Sequence, residues 1–217
     1  MYFINLHTHT FEHPDSVWAI CNQYPHDFKP NNATYSIGIH PWYIDEKRIE
    51  SDLTHIKQKL LDKNCIALGE CGLDKKIKTD LTTQIRVFEA QLELVKQTTK
   101  PVIIHCVSAY DELIASKKKI GLTNPFILHG FSKNSQVATQ LLKQGCYLSF
   151  GKHLIHNPEV ANVFASIPTE KIFLETDSST ENIEEVYIFA ANCKKISVEQ
   201  LKAIIWNNFQ TVFNIAK

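Results

Sequence analysis

Glycine and proline are scarce in this chain, with 7 and 8 residues among 217, and no low-complexity stretch interrupts it. An excess of charge of either sign is also missing. The 23 basic residues are matched by 23 acidic ones, which gives a formal net charge of zero and a pI near 7.1. No global basic field draws nucleic acid, and no polybasic patch suggests a membrane surface. A nucleic-acid role therefore needs local contacts or bound cations. No apolar run is long enough to span a bilayer, and the start Met1-Tyr2-Phe3-Ile4-Asn5 lacks the basic region of a leader, so a cytoplasmic protein is expected. Paired thiols are absent too. The six cysteines (21, 65, 71, 106, 146 and 193) form no CxxC pair and lie mostly in or beside apolar runs, as reduced structural residues do. No glycine-rich turn follows the first strand-like run, which argues against a dinucleotide fold. No linker or shift in composition marks a boundary, so residues 1–217 are expected to form one domain, a length sufficient for a well-buried core.

What is present is a recurring short run of apolar, β-branched residues. Eight such runs are expected as strands: Tyr2–Leu6, Val17–Asn22, Thr34–Ile39, Cys65–Leu68, Pro101–Ile104, Phe126–Leu128, Cys146–Phe150 and Lys171–Leu174. Between the later ones lie helix-length amphipathic segments at Glu46–Lys63, Leu81–Gln97, Tyr110–Lys119, Ser135–Gln144 and Asn157–Ser166. Strand–helix alternation implies parallel strands with right-handed crossovers, and eight of them favour a closed (β/α)8 TIM barrel over an open sheet. The first two connections are abbreviated. Thr10–Ser16 is shorter than the dozen or so residues of a parallel crossover, and Gln23–Ala33, with two prolines, reads as a loop. The tail from Ser197 to Ala216 opens on a capping-box pattern, Ser197 with Gln200, and reads as a closing helix.

Parallel barrels carry their chemistry at the carboxyl ends of the strands. The predicted ends read His7-Thr8-His9, Gly38-Ile39-His40-Pro41, Gly69-Glu70-Cys71-Gly72-Leu73-Asp74, His105, His129-Gly130-Phe131 and Glu175-Thr176-Asp177. Residues i and i+2 of a strand face the same way, so His7 and His9 can reach one ion. Four imidazoles and two carboxylates, His7, His9, His105, His129, Glu70 and Asp177, exceed the needs of one tetrahedral site. They suit two divalent ions sharing a carboxylate, with Glu70 as the natural bridge and Mg²⁺, Mn²⁺ or Zn²⁺ as candidate metals. Such a pair lowers the pKa of a water and clamps the attacking and leaving oxygens.

The ordered set HTH, GIHPW, GECGLD, PVIIH, HGFS, YLSFG and ETD resembles the TatD family of metal-dependent hydrolases, of the amidohydrolase-like superfamily, from the first strand to the last. That resemblance implies a TIM barrel with a one- or two-metal centre and DNase activity, often exonucleolytic. Carried over residue by residue, it implies that His7, His9, Glu70 and Asp177 hold one metal and that Glu70, His105 and His129 hold the second. Asp177 would also orient or deprotonate the attacking water, making Asp177 and Glu70 the candidate catalytic residues. His40 resembles a family histidine near the substrate phosphate; the alternative is that it shapes its His-Pro turn. Lys152 and His153, after the seventh strand, are further candidate substrate contacts, and His156 would lie at the same rim. Trp42 and Tyr43 could stack on a base or pack over the barrel mouth.

Departures from the family pattern bear on substrate. Asn5 stands where the family commonly has aspartate, Val107 where it often has arginine, and the segment after ETD, Ser178–Glu185, is acidic instead of basic. Arginine forks are the usual grip on phosphate. Lys75, Lys76, Lys78 and Lys152 could compensate, although the first three also read as a solvated surface. The expected partners are DNA ends or another phosphodiester, with no membrane and a monomeric chain. A small-molecule amide, lactone or ester hydrolase and a non-catalytic metal-binding barrel are the alternatives.

Overall fold

Branched and aromatic residues favour a pleated, half-buried surface, and the apolar runs do form strands in the computed structural model, which describes residues 1–215. The strands among the described residues are β1 (Phe3–Thr8), β2 (Val17–Gln23), β3 (Tyr35–Ile37), β4 (Cys65–Asp74), β5 (Val102–Val107), β6 (Phe126–Leu128), β7 (Tyr147–Phe150) and β8 (Ile172–Leu174). The helices are α1 (Ile49–Lys59), α2 (Leu81–Val95), α3 (Tyr110–Ile120), α4 (Ser135–Lys143), α5 (Lys152–His156), α6 (Pro158–Ser166), α7 (Ile183–Lys194) and α8 (Val198–Phe213). None of them is long and apolar enough to cross a membrane. The six cysteines are free thiols. The chain divides into two compact units, one of residues 1–21 and 127 onward, the other of residues 22–126.

In the first unit β1 pairs in parallel with β2, and β7 lies between β6 and β8, parallel to both. A parallel bridge joins Thr8 to Asp177. Two further contacts knit β1 to the C-terminal elements. The Asn5 side chain donates to Thr176 Oγ1 at 2.8 Å and accepts the Thr176 N–H at 3.0 Å. The Tyr187 hydroxyl, from α7, accepts the Ile4 N–H and donates to the Ile4 carbonyl, both at 3.1 Å. It thereby takes the place of a strand partner for Ile4 on that side. The amide–hydroxyl pairing gives Asn5 a structural role where the family commonly has a carboxylate.

The second unit holds β3, β4 and β5, parallel and in that order, with α1, α2 and α3. Two buried glutamines of α2 clamp backbone next to the strands. Gln84 accepts the Asp74 N–H at 2.8 Å and donates to the Asp74 carbonyl at 2.9 Å. Gln91 does the same for Ile39, at 2.7 and 3.3 Å. Buried backbone groups need such partners.

The strand boundaries correct one expectation. Glu70 and His105 lie inside β4 and β5, not beyond their ends, because β4 runs to Asp74 and β5 to Val107. The Gly-Glu-Cys-Gly run breaks the apolar alternation that marks a strand, so the strand signal stops at Leu68. In the fold it continues through a register shift between Leu68 and Cys71. Glycine is required at both flanks of that shift. A Cβ at Gly69 would stand 2.3 Å from the Ile103 carbonyl oxygen, and one at Gly72 would stand 1.9 Å from that of His105.

Two helices were not anticipated. The acidic segment Ser178–Glu185 leads into α7, which begins at Ile183 and is capped reciprocally by Asn182 and Glu185. The short α5 follows Gly151 directly. The abbreviated early connections stand: among the described residues Thr10–Ser16 carries no helix, and Gln23–Ala33 holds one short 3-10 turn at Pro25–Asp27. The closing helix α8 has the expected Ser197–Gln200 capping box, with bonds of 3.1 and 2.8 Å. It buries Leu201, Ile205, Phe209 and Val212. Its expected last residue, Ala216, lies outside the described residues, as does Lys217 of the expected 1–217 domain.

Candidate metal centre

Alternation along β1 puts His7, fully buried, and His9, just past the strand end, on the same side, with ring centroids 5.0 Å apart. Asp177 follows β8 with a left-handed backbone, φ 54°, and its N–H donates to the His7 carbonyl at 2.9 Å. This turn brings Asp177 Oδ1 to 3.2 Å from His9 Nε2 and 3.7 Å from His7 Nε2. His129, directly after β6, sits against the His7 ring with centroids 4.4 Å apart. Its Nδ1 is 3.3 Å from Oε1 of buried Glu175, which also accepts the Gly130 N–H at 2.7 Å. A carboxylate on one nitrogen is the usual device for fixing the tautomer and orientation of a ligating imidazole.

The second unit builds its own cluster. Glu70 is buried, and its N–H is held by Asn22 Oδ1 at 2.7 Å. Glu70 Oε1 lies 3.1 Å from His105 Nδ1 and 3.2 Å from His40 Nε2. His40 Nδ1 accepts the Trp42 N–H at 3.1 Å. With Nδ1 occupied as acceptor, the neutral ring carries its proton on Nε2 and donates to Glu70. His40 thus both caps the turn at Pro41–Tyr43 and orients Glu70. On the far side His105 Nε2 faces Asp74 Oδ2 at 3.5 Å, and that same oxygen accepts the Trp42 indole N–H at 2.8 Å. Burial alone would raise the Asp74 pKa, but hydrogen bonds from Trp42, the Lys76 amide and His105 outweigh it and hold the carboxyl below its usual range.

These donor sets fit divalent ions. Ligands about 2.1 Å from a tetrahedral ion stand about 3.4 Å from one another. The spacings in the two clusters, 3.2 and 3.7 Å at Asp177 and 3.1 Å between Glu70 and His105, straddle that value. His7 with His9 and Asp177, and Glu70 with His105 and His40, form compact groups of the mixed nitrogen–oxygen type that such ions accept, His40 turning its Nε2 proton to Glu70.

Asp74 and Glu175 are the functional residues that sequence reasoning passed over. Both sit inside recognised motifs, GECGLD and ETD, but nothing in the linear pattern says which histidine each one faces. Of the expected substrate contacts, Lys152 and His153 open α5. Partial desolvation, with the charges of Lys152 and Lys133, holds His153 below the usual imidazole range, while Asp177 and Glu175 pull the other way. His156 instead pairs with Glu181 at 2.5 Å. Lys75 pairs with Glu112 at 2.6 Å, and Lys75, Lys76 and Lys78 are exposed, which is the solvated-surface reading. A cleft of about 540 Å³ opens beside His9 and Asp177, with Glu12, Glu181 and Glu184 in its wall and no lysine or arginine among its described lining residues.

The chain is similar over most of its length to known metal-dependent hydrolases. The family model described as TatD related DNase matches residues 2–214. A protein of Haemophilus influenzae named as an uncharacterized metal-dependent hydrolase is 30% identical over 207 residues, which cover 85% of this chain and 79% of that one. Among solved structures, a TatD homologue from Escherichia coli K12 superposes with a TM-score of 0.81 at 22% identity, covering 99% of this chain and 98% of its own. A TatD-family hydrolase from Entamoeba histolytica gives 0.82 at 17% identity, with 98% of both chains covered. These likenesses bear out the expected fold class, a (β/α)8 TIM barrel. With the family model spanning almost the whole chain, the protein belongs to the TatD related DNase family, a family of metal-dependent hydrolases.

Proposed function

We propose that this chain is a phosphodiesterase that degrades DNA from its ends, as a monomer and with two divalent ions, Mg²⁺, Mn²⁺ or Zn²⁺. The observation that carries this reading is the pair of donor clusters with ion-compatible spacing, His7/His9/Asp177 and Glu70/His105. His7, His9 and Asp177 would hold one ion and Glu70 with His105 the other; His129, its ring fixed by Glu175, is the remaining ligand that the family resemblance implies. Bound ions would supply Lewis-acid stabilisation of the charge that builds on the phosphoryl oxygens, and they would bring the positive charge that the chain itself lacks.

The chain's own groups have distinct tasks. Asp177 is partly exposed and its Oδ1 lies beside His9 and His7, which suits it to orienting and deprotonating the attacking water. Glu70 is oriented at its carboxylate by His40 and held at its backbone N–H by Asn22. Asp74 and Glu175 fix the His105 and His129 rings. Lys152 and His153, at the start of α5, would meet a substrate phosphate.

The test is hydrolysis of end-labelled single- and double-stranded DNA and of bis(p-nitrophenyl) phosphate by protein loaded with Mg²⁺, Mn²⁺ or Zn²⁺. Shortening of DNA from its ends is expected. Metal-loaded protein that leaves both substrates intact would refute the reading.

The acidic cleft beside His9 and Asp177 supports a second reading: hydrolysis of a neutral or cationic small-molecule ester, lactone or amide, since a phosphate chain would meet Glu12, Glu181 and Glu184 there with no lysine or arginine among the described lining residues. Turnover of such esters with no phosphodiesterase activity would make it the better account.

A further inference from the structure

Trp42 is 58% exposed, one of few large apolar side chains so placed among the described residues. Its indole is nonetheless held rigidly. Nε1 donates at 2.8 Å to Asp74, a carboxylate only 3% exposed whose other oxygen accepts the Lys76 N–H at 2.8 Å. The ring stands edge-on to His40, with centroids 5.0 Å apart at 85°, and to His105, at 5.8 Å and 74°. Those two imidazoles flank Glu70. The ring therefore borders the candidate metal cluster, fixed in plane and open to solvent. Tyr43, 40% exposed, continues the aromatic surface and packs edge-on against Tyr24 at 4.9 Å.

A tryptophan serving only the core would bury its ring, whereas this one is exposed and meets two imidazoles of the site, His40 and His105. A planar surface whose rotamer is already set loses little entropy when a second ring settles on it. We propose that Trp42 is a stacking platform for one nucleobase of the substrate, the base nearest the bond to be cleaved. This rests on the phosphodiesterase reading for the choice of a base over other aromatic groups. It also offers a grip that needs no arginine, because base–aromatic stacking is independent of charge and tolerant of sequence.

The experiment compares 2′-deoxyadenosine 5′-monophosphate with 2-deoxyribose 5-phosphate as ligands of the full chain, by calorimetry and by tryptophan fluorescence. Both probes carry the same phosphate, so their difference isolates the base. The nucleotide is expected to bind about 5- to 100-fold more tightly and to quench tryptophan emission saturably. Trp42→Ala should abolish both the preference and the quenching; Trp42→Phe, which keeps a ring but loses the bond to Asp74, should retain part of the preference. Equal affinity for the two probes, or a preference that survives in Trp42→Ala, would overturn the proposal. DNA cleavage is scored separately. A base preference lost in Trp42→Ala in a protein that cuts no phosphodiester would uphold the platform and reject the phosphodiesterase reading, whereas DNA cleavage without any base preference would reject the platform alone.

Discussion

Tyr187→Phe removes one oxygen from a fully buried side chain and leaves its packing intact. That oxygen satisfies both polar groups of Ile4, a residue that is itself completely buried. Each orphaned backbone group should cost about 1–3 kcal/mol, and Ile4 is fully buried, so a loss of about 3 kcal/mol is expected. For a chain of this size that corresponds to a fall in Tm of about 6–12 °C. Thermal melts followed by circular dichroism, with urea unfolding at 25 °C, would measure it. Turnover per folded molecule should stay within about twofold of the parent, because the affected segment lies three residues from His7 and the strand remains paired with β2. A loss below about 0.5 kcal/mol would refute the reasoning. It would mean that β1 finds another partner and that the hydroxyl is not the missing rung of the sheet.

Other expectations follow from the site and its supports. Asp177→Asn should lower turnover at least about 100-fold while leaving Tm within a few degrees, as checked by steady-state assays and melts; unchanged turnover would remove Asp177 from the chemistry. Asp74→Asn should weaken Mn²⁺ binding about 10- to 100-fold, measured by calorimetry, because it loosens the hold on His105. Gly72→Ala forces a Cβ to within 1.9 Å of the His105 carbonyl oxygen and should cost at least about 3 kcal/mol in urea unfolding or prevent soluble expression. Glu181 is held down to about 2 chiefly by its hydrogen bond to His156. A carboxyl lowered in the folded state stabilises above its unfolded pKa, so this contribution is present above about pH 4.5 and fades as pH falls toward 2; Glu181→Gln should flatten that stretch of the stability profile, and an NMR titration of Glu181 with a midpoint near 4.5 would contradict it.

Much of this was legible because barrels place chemistry at predictable points along the chain. Strand β6 was bounded correctly from composition alone, and the other strands lay within a few residues of their expected positions, except β4. That strand outran its apolar signal because glycines at 69 and 72 permit a close approach that no alternation pattern reports. Helix α7 was masked by its acidic lead-in, although the Asn182–Glu185 capping box was there to be read. His40 shows the limit most clearly. Its proximity to Glu70 could be suspected, but the bond from the Trp42 amide to Nδ1 makes its other nitrogen a donor, and no sequence states that.

By itself, then, the sequence determined the strand–helix order, the abbreviated first connections, the family and the identity of the histidines and carboxylates available for metal. Those properties depend on residue type and spacing along one strand or helix, which are local. The tertiary structure decided which carboxylate faces which imidazole. Asp74 against His105, Glu175 against His129 and the Tyr187 hydroxyl on Ile4 join residues from about 30 to more than 180 positions apart, and only packing and the register between strands set such distances.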